Sequence, residues 1–73
     1  MSYFEAYQTV WEFHKKYNSM DDTDEDWEAV IDEANQICKR FDNNLFVRGL
    51  LMAVLDELER KCKEMRKYAD RRV

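Results

Sequence analysis

Leu45-Phe46-Val47-Arg48-Gly49-Leu50-Leu51-Met52-Ala53-Val54-Leu55-Asp56-Glu57-Leu58 is the most apolar stretch of the chain, and its reading decides the fold. Wound at ~100° per residue, Val47, Leu51, Val54, Leu55 and Leu58 align as one stripe. Phe46, Leu50 and Ala53 widen it on one side, while Arg48, Asp56 and Glu59 mark the wet side. A helix apolar over more than half its circumference has to be covered by other helices, of the same chain or of a second one. The stretch therefore predicts the centre of a helical bundle.

The composition points the same way. Proline is absent, glycine occurs once and 38% of the 73 residues are charged, which favours helix over sheet. Aromatic residues make up 14% of the chain and offer bulky core material. A chain of this length makes one domain at most. Its core supplies only ~3–5 kcal/mol unless disulfides, a metal or a partner subunit add to it.

Upstream, Ser2-Tyr3-Phe4-Glu5 has the pattern of a capping box, in which Ser2 accepts the amide of Glu5 and Glu5 reaches back. Phe4, Tyr7, Val10, Trp11, His14 and Tyr17 then recur at helical spacing, with Tyr3, Ala6 and Phe13 broadening the face. Asn18-Ser19-Met20-Asp21 reads as a connection. Asp22 or Thr23 caps a second helix carrying Trp27, Val30, Ile31, Ala34, Ile37, Cys38 and Phe41 on one face. Asp42-Asn43-Asn44 is the second turn, and either asparagine suits the cap of the third helix. That helix is core up to Leu58. Beyond it only Cys62, Met65 and Ala69 continue the stripe, with Tyr68 beside it.

The expected architecture is a single all-α domain over residues 1–73, an up-down-up three-helix bundle with helices at about 3–17, 24–41 and 45–70 and a protruding third helix. Its predicted core contains Phe4, Tyr7, Trp11, Trp27, Ile31, Ala34, Cys38, Val47, Leu51, Val54 and Leu58. Gly49 is expected to permit close approach of another helix or of a ring such as Trp11. Short connections join antiparallel neighbours, which brings the start of the second helix beside the end of the third. Charge agrees: residues Asp21–Glu33 carry eight acidic side chains and no basic one, whereas Arg60–Arg72 carry seven basic ones. The same topology separates Cys38 from Cys62 by ~21 Å along the bundle, too far for a disulfide. Cys62, further out, is expected to be accessible and able to meet its own copy across a two-fold axis.

Several functions are disfavoured. A net charge of −4 argues against nucleic acid or an anionic membrane as a general partner. No segment approaches the ~18 apolar residues of a membrane span. The first residues, with Glu5 and no basic run, do not read as a secretory signal. Two separated cysteines suit a reducing compartment, which makes the cytoplasm the expected location. Asp22, Asp24, Asp26 and Glu33 have the spacing of a calcium loop, but Trp27 stands where the loop needs glycine and the helical period runs through it. His14, the single histidine, is expected near Asp26 as a modest pH-sensitive pair and has no companion ligands. Neither cysteine has a nearby base. No catalytic residue, cofactor or metal is predicted, and the chain does not read as an enzyme.

Trp11-Glu12-Phe13-His14-Lys15-Lys16-Tyr17, Asp26-Trp27-Glu28 and Leu55-Asp56-Glu57-Leu58-Glu59-Arg60-Lys61 together resemble small helical proteins of Gram-positive gut bacteria, of the kind that accompany phage or conjugative-element genes. The resemblance implies a bacterial, cytoplasmic protein and supplies no activity and no site residue.

Surplus apolar surface on a small chain predicts a non-enzymatic helical protein–protein interaction module that self-associates as a homodimer or takes another protein partner. The residues expected to carry the contact are Phe46, Leu50, Cys62, Met65 and Tyr68. The alternative is a small regulator touching nucleic acid through the basic end of the third helix. A further possibility is a basic partner protein held by the acidic Asp21–Glu33 pole.

Overall fold

The computed structural model describes the backbone of residues 2–71 and the side chains of residues 2–66. Three α-helices, α1 (Tyr3–Tyr17), α2 (Asp24–Arg40) and α3 (Leu45–Arg71), follow one another up, down and up. No strand occurs among the described residues. All three helices touch, and α3 lengthens the molecule to 49 Å against 20 and 17 Å in its other dimensions.

Each helix boundary has a local cause. Ser2 sits in extended backbone and its hydroxyl accepts the Glu5 amide at 3.4 Å, while the Glu5 carboxylate crosses to Arg40 at 3.3 Å. Thr23, rather than Asp22, caps α2 and accepts the Asp26 amide at 3.1 Å. Asn44 caps α3, its side-chain oxygen accepting the amides of Phe46 at 2.9 Å and Val47 at 3.3 Å. Each of these oxygens satisfies an amide that the first helical turn leaves without a partner. At the end of α2 the Asn43 amide donates to the Cys38 carbonyl at 2.7 Å and the Asp42 amide to that of Lys39 at 3.1 Å. This is a Schellman closure, with Asp42 in the left-handed position where glycine is usual.

The buried core is Ala6, Val10 and Phe13 from α1, Val30, Ala34 and Ile37 from α2, and Val47, Leu51, Val54, Leu58 and Cys62 from α3. No polar or charged side chain is buried among the described residues. The α3 stripe, together with Ala34, packs inward as its spacing predicts. The other two helices are turned. Phe4, Tyr7, Trp11 and Ile31 are exposed, Trp27 and Cys38 are half-buried, and Ala6, Val10, Phe13, Val30 and Ile37 occupy the centre in their place. On α1 the inward direction lies roughly 120° around the helix from the Phe4–Tyr7–Trp11 face, at ~100° per residue. The physical reason is side-chain size. Ala6 and Ala34 let helix axes approach closely, and the centre of three helices holds one large ring, Phe13, at native density. The remaining rings fall to the flank.

The poles pair by charge. Lys16 reaches Glu33 at 2.7 Å, Arg66 reaches Asp22 at 2.8 Å and the Lys61 ammonium donates to the Asn18 carbonyl at 3.2 Å. These contacts tie the start of α2 and the first connection to the ends of α1 and α3. Exposed pairs are each worth ~0–1 kcal/mol, so they orient the helices more than they stabilise them. Gly49 is exposed, has ordinary helical backbone, and a Cβ there would meet nothing within 4 Å. No helix or ring approaches it, so the packing reason anticipated for it is absent.

Candidate functional site

Two apolar faces lie on opposite sides of α3. The first is aromatic and belongs mostly to α1. Tyr3, Phe4, Tyr7 and Trp11 are 55–75% exposed. Their positions follow from the rotation of α1: once Ala6, Val10 and Phe13 turn inward, the side chains flanking that row turn toward α3 and solvent. Tyr3 and Tyr7 meet the ring of Phe46 edge-on, with centroids 5.3 and 5.4 Å away, a geometry favoured by ring quadrupoles. Phe46 and Leu50 are themselves half-buried against the core, and Leu45, at the start of α3, is exposed. Trp11 in turn contacts the His14 ring edge-on at 6.2 Å.

The second face lies between α2 and α3, with Trp27 and Leu55 packed against the core and Ile31 and Met52 exposed beside them. The Trp27 indole donates to the Asp22 carboxylate at 2.7 Å, which fixes the ring at the mouth of this groove. Asp22 holds a left-handed backbone conformation while also receiving Arg66. The Cys62 thiol lies against the same carboxylate; burial first, then the Asp22 charge, pushes that thiol up from its ordinary value.

Of the five residues expected to form an interface, the four whose side chains are described are thus dispersed. Phe46 and Leu50 border the aromatic face. Cys62 is 4% exposed, closed within the bundle beside Asp22, which removes the accessible thiol and the contact with its own copy anticipated there. Met65 is exposed on the far part of α3. Tyr68 lies outside the residues whose side chains are described. Of the rings that dominate the first face, Phe4, Tyr7 and Trp11 are core residues by their spacing alone. The missed signal is the row Ala6-Val10-Phe13, whose single ring beside two smaller residues fits a central position better than three rings do.

The described basic residues of Arg60–Arg66 are engaged with the protein itself. Arg60 bridges Glu57 and Glu64, Lys63 pairs with Glu59 at 3.1 Å, and Lys61 and Arg66 hold the first connection as described. The hydrogen bond from Arg60 holds the Glu57 carboxyl below the usual range against partial burial, and the charges of Arg60, His14 and Lys61 add to it. Among the described residues no ion pair joins His14 to Asp26, whose carboxylate accepts the Asp21 amide at 3.0 Å. Asp24 and Asp26 lie in the first turn of a regular helix. Among the described residues, no three His, Cys, Asp or Glu side chains converge as metal ligands would. No helix there is long and apolar enough to cross a membrane.

Comparison with protein-family models, curated proteins and solved structures finds no match for this chain.

Proposed function

We propose that the protein is a non-enzymatic helical interaction module that associates with a second copy of itself through the aromatic face of α1. The observation that carries this reading is the exposure of Tyr3, Phe4, Tyr7 and Trp11 as one continuous surface. An aromatic residue brings ~150–250 Å² of surface, so four residues exposed to this degree leave roughly 400–600 Å². A standard interface takes ~800 Å² from each partner, with an aromatic centre and a polar rim. The face therefore supplies the centre of one such interface, with Leu45 and Phe46 at its edge. In a two-fold dimer the same patch serves both copies. Cys62, being buried, has no part in this contact. A cytoplasmic setting suits the two free thiols.

A regulator touching nucleic acid through α3 draws less support, because Arg60, Lys61, Lys63 and Arg66 are each engaged within the molecule. The test is light scattering behind size exclusion over a wide concentration range, with and without reductant. A mass near twice the 8.9 kDa chain is expected, independent of reductant. Phe4→Glu and Trp11→Glu, at exposed positions, are expected to give folded monomers. A wild-type monomer at every concentration, or a dimer indifferent to both variants, overturns the reading.

A further inference from the structure

We infer that the groove between α2 and α3 is a docking site for a basic amphipathic helix of another protein. Its floor is the continuous apolar strip Trp27, Ile31, Met52 and Leu55. Trp27 and Leu55 are anchored in the core, while Ile31 and Met52 are 46% and 57% exposed. The strip thus has a rigid base and an accessible surface. Met52 adds an unbranched, polarizable side chain that adapts to a partner's shape.

The walls carry one sign of charge. On the α2 side the strip continues past Asp24, Glu28 and Asp32; on the α3 side stand Asp56 and Glu59. Arg66 closes one end but is committed to Asp22 at 2.8 Å. Among the described residues, Asp24, Glu28 and Asp56 have no ion-pair partner, Asp32 meets only the Gln36 amide at 2.9 Å, and Glu59 is shared with Lys63 at 3.1 Å. An apolar floor between two carboxylate walls matches a helix with an apolar stripe and lysines or arginines on both flanks. Such a helix seats its stripe by the helix-in-groove mode and meets each wall with opposite charge. The same charge repels nucleic acid and anionic lipid.

The groove is independent of the self-association surface. Phe46 and Leu55 are nine positions apart on α3, a separation of roughly 180° around it at ~100° per residue. The aromatic face and the groove can therefore be occupied together, and failure of one leaves the other standing.

The probe is a capped synthetic peptide of about 18 residues, ~27 Å as a helix, close to the length of α2. It carries leucines at helical i, i+3, i+4 and i+7 spacing and lysines elsewhere. Calorimetry gives its affinity and amide shift mapping its place. Saturable one-to-one binding is expected, with shifts at the Trp27 indole and along 24–35 and 52–59, weakening as salt rises. Ile31→Lys, Met52→Lys and Glu28→Lys, all at exposed positions, are expected to weaken it roughly tenfold or more. Trp11→Glu should leave it unchanged. Absence of binding, equal binding of a shuffled peptide of the same composition, or shifts centred on Tyr3–Trp11 overturns the proposal.

Discussion

The two faces of α1 make an instructive contrast. Ala6, Val10 and Phe13 are buried, whereas Tyr3, Phe4, Tyr7 and Trp11, which carry far more apolar surface, stand more than half exposed. Hydrophobic bulk alone would reverse the assignment. The structure shows that a three-helix centre selects for fit: an alanine for close approach, a valine beside it and one ring to fill the space left over. α2 repeats the choice, with Val30 and Ala34 inside and Ile31 outside. In both helices the larger residues of the flank remain available for contact with another molecule.

The sharpest way to break this contrast is to shorten a ring on each face. Phe13→Ala should cost about 3–5 kcal/mol, comparable to the whole stability expected of a domain this small, and should leave the chain largely unfolded. Trp11→Ala, measured by urea titration on the monomer, should cost less than about 1 kcal/mol. Comparable losses in the two variants would mean that the faces are wrongly assigned.

The cysteines carry the contrast to the other helices. Cys38 is half-buried and Cys62 buried, the reverse of what their places on the two apolar stripes suggested. Under native conditions a thiol reagent should modify Cys38 first. Cys62 should follow roughly tenfold or more slowly, at the rate of local opening, and its raised thiol adds to that protection. Mass spectrometry of partly labelled protein distinguishes the two; preferential labelling of Cys62 would contradict the packing of α3.

Outside the packed rows, substitutions should follow local propensity. Gly49 lies mid-helix with open space around its Cα, so Gly49→Ala should stabilise the protein by about 0.5–1 kcal/mol. That corresponds to a melting midpoint about 3–6 °C higher. A loss of stability would reveal a contact at that position.

The smallest expected effect is that of surface charge. Arg60 lowers the Glu57 carboxyl, so the stabilisation from this pair is present above the ordinary carboxylate value and is lost as pH falls through the lowered one. Glu33 raises Lys16; that contribution is complete below the ordinary lysine value and disappears as pH rises past the raised one. Glu57→Gln should accordingly flatten the acid limb of the stability profile and Lys16→Met the alkaline limb, both slightly. Phe13→Ala, by contrast, should lower the profile at every pH.

Much of this architecture is legible in the chain itself. Ser2, Thr23 and Asn44 announce three helices because a side-chain oxygen at those places satisfies amides that nothing else reaches. The opposed charges of Asp21–Glu33 and Arg60–Arg72 agree with short connections in predicting antiparallel neighbours. Val47, Leu51, Val54 and Leu58 declare their inward face because they line the middle of the widest apolar arc in the chain. On α1 and α2 a 3.6-residue period also defines an apolar arc, without saying which part of it faces the centre. That was decided only when three helices packed at once, where Ala6 and Ala34 permit contact and the rings of Phe4, Tyr7 and Trp11 do not fit. The aromatic face of α1 and the groove beside Trp27 are consequences of that rotation, which depends on the volumes of side chains distant in sequence and adjacent in space.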